Sequence, residues 1–208
     1  LDALIRPLKS GKEAAVYVVR RGDEICCAKV YKDMAQRSFQ KRAQYQEGRK
    51  SRGSREARAV AALSHPNIAM VHDFGVGRDG ALFMAMELVR GPSLADLLGA
   101  DNLSWEEIVG LFDQILTGLA HAHARGVISR DIKPANVLVA RQEDGSSIVK
   151  IVDFGIAALA GFAWSDDERH TGVGQVVGTP QYMAPEQARG ERHVSATVDI
   201  YATGLMLY

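Results

Sequence analysis

Residues 127–155, VISRDIKPANVLVARQEDGSSIVKIVDFG, constrain this chain more than any other stretch, because they set reactive side chains at fixed intervals. Asp131 can accept a proton from a hydroxyl, and the nearby Lys133 can neutralise negative charge. Asn136 and Asp153 offer oxygen atoms, the ligands that Mg²⁺ prefers in proteins. Transfer of a phosphoryl group needs positioning and charge stabilisation more than covalent help. The spacing therefore predicts a phosphoryl-transfer site with a base, a cation and a pair of metal ligands.

The pattern R-D-x-K-x-x-N, followed by an apolar strand and K-I-V-D-F-G, resembles the catalytic and magnesium loops of bacterial Hanks-type (eukaryotic-like) Ser/Thr protein kinases. The resemblance implies a two-lobe α+β protein kinase-like fold. It implies an enzyme that uses ATP and Mg²⁺ to move the γ-phosphoryl group to a Ser or Thr hydroxyl of a protein substrate. It assigns catalysis to Asp131 as base and Lys133 as charge stabiliser, and metal ligation to Asn136 and Asp153.

Ser129 departs from the family pattern, which has a His before the Arg-Asp pair. In the family, that His packs under the Phe of the magnesium loop, here Phe154. The smaller serine predicts a thinner stack beneath Phe154 and a less tightly ordered active state, although no reacting group is lost.

The N-terminal segment 8–19, LKSGKEAAVYVV, predicts two strands joined by a tight turn at Gly11. Aligned on Val16, this segment lacks two of the three glycines of the usual kinase loop. Its sequence resembles the nucleotide loop of the RIO family of atypical kinases. We predict that Ser10, Gly11, Lys12 and Val16 cover the nucleotide, because small residues let backbone N–H groups approach a phosphate. The alternative is a plain β-hairpin with a polar tip.

The apolar strand 25–31, ICCAKVY, carries a cation, Lys29, which is costly inside a sheet unless it is paired. The resemblance implies that Lys29 contacts the α- and β-phosphates and that Ala28 packs on adenine. It also implies a helix glutamate as partner, and we choose Glu56 at the start of the helical run REARAVAAL over Glu47. The alternative is a lysine whose stem is buried at a sheet edge while its head reaches water.

Residues 37–58 carry eight Arg or Lys side chains against two Glu. The first fifty-odd residues resemble RIO kinases, and that resemblance suggests an RNA or ribosome contact for the basic segment. The favoured interpretation is a solvated loop that leads into a helix.

Residues 68–89 predict two antiparallel strands with a turn at 78–80. The end of the second strand resembles the gatekeeper and hinge of kinases, where the backbone would contact the adenine edge. This assigns Met86, Glu87 and Val89 to nucleotide binding, together with Leu138.

A core helix is predicted after Ser104, because Ser104 and Glu107 form a capping box. His121 and His123 lie near the end of this helix, and we predict packing and capping roles for them rather than metal ligation. An apolar stripe is predicted on one helix face, made by Ile108, Leu111, Phe112, Ile115, Leu116 and Leu119.

The segment 156–186 ends in G-T-P-Q-Y-M-A-P-E, which resembles the substrate-docking loop and A-P-E motif of kinases. The resemblance implies that Thr179 bridges Asp131 and Lys133 and favours Ser/Thr acceptors over Tyr.

Arg130 precedes the predicted base and implies a basic pocket for a phosphate on the same segment. We predict Thr171 as the modified residue, with Ser165 second.

Residues 198–208, VDIYATGLMLY, resemble the start of the helix that anchors the large lobe, and Asp199 is predicted to bond the catalytic-loop backbone. We expect an N-lobe over residues 1–87 and an incomplete C-lobe over 88–208, truncated after the start of this helix, with apolar surface exposed there.

A net charge of zero gives the chain no overall field toward nucleic acid or membrane. Cys26 and Cys27 point to opposite faces of a strand, so they form neither a disulfide nor a metal pair, and a reducing cytoplasm is the simpler interpretation. No apolar run is long enough to span a membrane. Two rival functions stay open: a pseudokinase or scaffold, and a RIO-like ATPase acting on ribosomal particles.

Overall fold

The computed structural model describes residues 2–10, 14–31, 58–76, 81–100, 103–154, 180–191 and 194–208. These residues form two compact units. The first consists of the described parts of Leu1–Ser51 and Met70–Val89, and the second of those of Arg52–Ala69 and Arg90–Tyr208. Residues 58–69, which the sequence placed in the N-lobe, thus group with the second unit.

The first unit is an antiparallel sheet of five strands in the order β1-β2-β3-β5-β4. The two predicted hairpins are confirmed, since β1 pairs with β2 and β4 pairs with β5. Gly22 allows the turn between β2 and β3, because its φ of 57° lies in the left-handed region that glycine tolerates best. The strands are Ala3–Ser10 (β1), Ala14–Arg21 (β2), Glu24–Tyr31 (β3), Val71–Val76 (β4) and Leu82–Glu87 (β5).

The second unit contains helices and a two-stranded sheet. Within this unit, helical residues 58–61 come first in the described chain. The later elements are α1 (Leu94–Gly99), α2 (Trp105–His123), β6 (Val137–Arg141), β7 (Ser147–Ile151), α3 (Pro185–Ala188) and α4 (Thr197–Leu207), with short 3-10 helices at Pro134–Asn136 and Pro180–Tyr182. The predicted α+β class is confirmed.

Helix α2 begins as predicted. Ser104 Oγ accepts from Glu107 N at 3.2 Å, and the Glu107 carboxylate accepts from Ser104 N at 2.8 Å. The predicted stripe is wrong at Leu116, which is 43% exposed, because a rotation of about 100° per residue leaves it at the stripe's margin. Ile108 is half-buried, and the fully buried members are Leu111, Phe112, Ile115 and Leu119.

The β6–β7 hairpin packs against α2 and is held from both sides. Asn67, which is 7% exposed, donates from Nδ2 to Val149 O at 3.1 Å and to Gln114 Oε1 at 2.9 Å. On the other side, Val139 N donates to Pro92 O at 2.9 Å. Gly91 makes this approach possible, because a Cβ there would overlap Val139 O. These contacts hold the hairpin that follows the loop carrying Asp131 and Lys133.

The described residues include no helix with the length and apolar character needed to cross a bilayer. In α4, several apolar side chains are exposed, namely Ile200, Tyr201 and Leu207.

Candidate active site

The loop between α2 and β6 brings three of the predicted residues together. Lys133 Nζ donates to both carboxylate oxygens of Asp131, at 2.7 and 3.0 Å. Asn136 Nδ2 donates to Asp131 Oδ2 at 2.9 Å. The Asp131 side chain keeps 23% of its surface exposed, so this anchored carboxylate can still meet a ligand. The arrangement presents a hydrogen-bond acceptor with an ammonium group beside it.

Asn136 offers its amide oxygen rather than its nitrogen to any further ligand. Its Nδ2 also donates to the backbone oxygen of Asp131 at 2.9 Å, so the nitrogen serves the loop. Val152 N donates to Asn136 O at 2.9 Å, and Asp153 follows directly. The amide oxygen of Asn136 and the carboxylate of Asp153 are hard oxygen donors on adjoining segments. This donor set fits Mg²⁺.

Two residues of the site have left-handed backbone although neither is glycine. Arg130 has φ of 65° and Asp153 has φ of 66°. Such conformations cost about 1–3 kcal/mol each and persist where surrounding contacts hold them. At Arg130 the contacts are clear: its N donates to Asp199 Oδ1 at 2.8 Å, and its O accepts from Gln187 Nε2 at 3.0 Å. Arg130 directly precedes the predicted base Asp131, and Asp153 is itself a predicted metal ligand.

Asp199 on α4 is the anchor of the loop, as predicted. Its carboxylate is 0% exposed and accepts from Ser129 N at 2.9 Å as well as from Arg130 N. His123 Nε2 lies 2.8 Å from Asp199 Oδ2. The sequence prediction missed this pairing, because the two residues are 76 positions apart. A buried acidic residue in the apolar run VDIYATGLMLY was the available signal, since such a charge requires partners.

Ser129, the residue that departs from the family pattern, is 2% exposed. Its backbone N is the group that Asp199 holds. Phe154 is itself 2% exposed, so it is buried although residue 129 is a serine. The loop is thus anchored through the backbone of residue 129 rather than through its side chain.

In the first unit, strand register sorts the predicted nucleotide contacts into two faces. Lys29 pairs with Val16 and with Met84, and Cys27 pairs with Met86. Paired residues share a face and successive residues alternate. Lys29, Val16, Met86 and Cys27 therefore share one face.

Ala28 lies on the opposite face, because it pairs with Tyr17 and Ala85. Ala28 and Lys29 cannot touch one ligand from the same side of the sheet. Ala28 is the immediate neighbour of Lys29. Because side chains alternate between the two faces of a strand, a residue that shares the face of Lys29 must lie two positions before it. We therefore replace Ala28 by Cys27 in the candidate set.

Lys29 is half-buried, and its Nζ lies 5.4 Å from the centroid of the Tyr31 ring, within cation–π range. The ammonium group therefore lies beside an aromatic ring on the face of the sheet that Lys29 shares with Val16 and Met86.

The remaining predicted nucleotide contacts lie at strand ends. Glu87 on β5 forms two hydrogen bonds with Met70: Glu87 N donates to Met70 O at 2.8 Å, and Glu87 Oε2 accepts from Met70 N at 3.2 Å. Val89 and Leu138 are half-buried, and Ser10 is exposed at the end of β1.

Several predicted residues lie outside the described ones. These are Gly11, Lys12 and Glu56 of the nucleotide set, Thr179 of the catalytic set, the proposed phosphosites Ser165 and Thr171, and all of the basic segment 37–58 except Arg58.

The sequence profile of the family described as protein kinase domain matches residues 4–208. The chain is 43% identical over 159 residues to serine/threonine-protein kinase pkn3 of Myxococcus xanthus, covering 76% of this chain and 29% of that relative. It is 34% identical over 208 residues to serine/threonine-protein kinase pkn2 of the same organism, covering 99% of this chain and 23% of that relative. The chain thus spans less than a third of the length of these relatives.

The fold is similar to that of the crystallised kinase domain of Mycobacterium tuberculosis PknI. The TM-score is 0.69 at 27% sequence identity, covering 98% of this chain and 71% of that chain. The likeness extends through both units, since nearly the whole chain is matched.

Proposed function

The chain belongs to the protein kinase domain family, and from that premise we propose that it transfers the γ-phosphoryl group of ATP to Ser or Thr hydroxyls of protein substrates. The observation that carries the proposal is the Asp131 carboxylate, held by Lys133 Nζ at 2.7 Å and by Asn136 Nδ2 at 2.9 Å. Names of relatives as serine/threonine-protein kinases support the choice of acceptor.

Asp131 orients the acceptor hydroxyl and takes its proton. Its contacts with the Lys133 ammonium and the Asn136 amide fix the position of the carboxylate that receives the proton. Lys133 stands beside it and neutralises charge on the phosphoryl group as it moves. Positioning of this kind, rather than covalent chemistry, carries most of the catalysis in phosphoryl transfer.

Asn136 and Asp153 hold Mg²⁺ in this proposal, through the amide oxygen and the carboxylate. The ion, when bound, neutralises negative charge on the nucleotide phosphates. Anchoring of Asn136 through Nδ2 to Asp131 couples the base and the metal ligand in one hydrogen-bonded unit.

For ATP, we propose that Lys29 contacts the phosphates and that Val16, Cys27 and Met86 contact adenine on the same face of the sheet. Leu138 and the backbone of Glu87 and Val89 complete the adenine contacts. Ser10, Gly11 and Lys12 cover the phosphates.

We keep three other residue assignments as predictions. These are pairing of Glu56 with Lys29, a bridging role for Thr179, and phosphorylation of Thr171 or Ser165. A cytoplasmic location is likewise proposed. Two further statements stay predictions: the resemblance of the N-terminal sequence to RIO kinases, and a nucleic-acid contact through residues 37–58. The residues that support them lie almost entirely outside the described ones.

The test is Asp131→Asn, which keeps the size of the side chain but removes the base. Phosphate transfer from labelled ATP should fall by about 10²–10⁴-fold, while ATP affinity measured by calorimetry stays nearly unchanged. Asp144→Asn is the matched control, because Asp144 is exposed in the β6–β7 turn, where its Oδ1 accepts from Ser146 N at 2.8 Å. Equal turnover of the two variants would refute the role of Asp131.

A further inference from the structure

A second group of reactive side chains meets in the first unit, apart from the residues assigned to phosphoryl transfer. Glu24 and Cys26 lie on β3, and His72 lies on β4. One ligand atom from each residue, a carboxylate oxygen, a thiol sulfur and a ring nitrogen, lies within 4.8 Å of the other two. Since β5 separates β3 from β4, the fold assembles this group rather than local sequence.

Strand geometry explains why the three side chains converge. Glu24 and Cys26 are two positions apart on β3, so both point to the same face. His72 lies where the pairing of β4 with β5 shifts register, between Val71 and Asp73. Such irregularities re-aim a side chain.

The intervening strand β5 ends beside this group. The β5 residue that pairs with Cys26 is Glu87, the last residue of the strand, and its Oε2 accepts from Met70 N at 3.2 Å. The Glu87 carboxylate is thus held by the backbone ahead of β4, and the next β5 residue on this face is the small, buried Ala85.

The electrostatics of the group suit a divalent cation. A cysteine binds a metal as its thiolate, so Cys26 and Glu24 would together supply two negative charges. With a neutral imidazole as third ligand, two negative charges would face one doubly charged ion.

The donor atoms identify the ion by class. A thiolate and an imidazole favour zinc over magnesium or calcium, which prefer oxygen ligands. Zinc bonds of about 2.0–2.3 Å to S, N and O place tetrahedral ligand atoms roughly 3.3–3.8 Å apart. The observed group needs only small side-chain movements to reach that spacing.

We propose that Glu24, Cys26 and His72 bind Zn²⁺ with three protein ligands and a fourth position open to water. Binding releases the thiol proton of Cys26 to solvent and ties β3 to β4 across β5. This site is independent of the proposed phosphoryl transfer. Cys27 is excluded from it, because it points to the opposite face of β3.

The experiment uses Co²⁺ as a spectroscopic probe and Zn²⁺ as competitor, added to the purified chain. The wild type should develop thiolate-to-cobalt charge-transfer absorption that Zn²⁺ removes. His72→Asn should lose the absorption or bind far more weakly, and Cys26→Ser should lose it. Cys27→Ser is the matched control for metal binding and should show the same Co²⁺ absorption as the wild type. Circular dichroism of each variant verifies that it is folded.

His72→Asn keeps the test decisive if Cys26→Ser fails to fold, because His72 is half-buried whereas Cys26 is 0% exposed. As a second measurement, Zn²⁺ should raise the thermal unfolding midpoint of the wild type and of Cys27→Ser, but not of His72→Asn. The proposal is overturned if folded wild type shows no charge-transfer absorption, if His72→Asn binds as well as wild type, or if the signal depends on Cys27.

Discussion

At the scale of single residues, Asp199 shows how a buried charge organises the candidate site. Its carboxylate is 0% exposed and is satisfied by Ser129 N, Arg130 N and the His123 ring. A buried carboxylate is tolerated only with such partners. The two backbone bonds hold the loop in the conformation that gives Arg130 its φ of 65°, and Asp131 follows directly. Asp199 is thus a positioning residue for the proposed base.

Asp199→Asn should therefore lower both stability and activity. An amide cannot accept all three bonds, so we expect a loss of about 2–4 kcal/mol in unfolding free energy, measured by urea denaturation. Phosphate transfer should fall in the variant at temperatures where it is still folded. Asp113→Asn on the exposed face of α2 is the control and should stay near wild type. A wild-type unfolding curve for Asp199→Asn would contradict this account.

Another residue of the second unit, His65, should make stability depend on pH. Its Nδ1 accepts from Asn67 N at 3.1 Å, and its ring lies 4.7 Å from that of His121. Burial, and then His121, Arg125 and Lys150, lower the pKa of His65 below its ordinary value of 6.5. Because the folded state disfavours the proton, the contribution of His65 is fully present above pH 6.5 and is lost as pH falls through the folded pKa.

Urea denaturation at a series of pH values tests this prediction. The unfolding free energy of the wild type should decline below about pH 6.5, and His65→Gln should flatten part of that decline. Parallel curves for the two proteins would show that His65 contributes nothing to the pH dependence.

At the scale of elements, chain distance decides which contacts could be predicted. The catalytic-loop residues were predictable, because Asp131, Lys133 and Asn136 lie within one loop and short chain distances determine their proximity. The pairing of His123 with Asp199 was missed, because it joins two helices far apart in the chain.

Position within an element explains the two wrong assignments. Ala28 was misassigned, because the sequence of a motif does not give the strand register. The register decides which side chains lie together on one face of the sheet. The predicted burial of Leu116 was wrong, because Leu116 lies at the edge of the apolar stripe of α2, where a small rotation of the helix exposes it.

Substitution of two glycines by alanine, one just before α1 and one inside α2, should change stability in opposite directions. Gly91→Ala should destabilise the chain by about 2 kcal/mol or more, because the new Cβ would overlap Val139 O just before α1. Gly110→Ala inside α2 should stabilise by about 0.5–1 kcal/mol, because a Cβ there meets nothing within 4 Å. Urea denaturation of both variants tests the difference in sign. Equal effects would show that the contact of Gly91 with β6 is unimportant.

At the scale of the whole molecule, the chain has a five-stranded sheet in one unit, and the other unit has the loop of Asp131, Lys133 and Asn136 with its helices. Class and family were predictable from sequence, since several ordered motifs agree. The group of Glu24, Cys26 and His72 was not, because its members come from non-adjacent strands. The proposed activity also requires that the departures from the family pattern, above all Ser129, leave catalysis intact.

The most direct measurement of the central claim is transfer of labelled phosphate from ATP to a generic basic protein by the purified chain, with and without Mg²⁺, followed by phosphoamino-acid analysis. We predict Mg²⁺-dependent incorporation into serine and threonine and none into tyrosine. ATP binding without transfer would contradict the account and identify the chain as a pseudokinase.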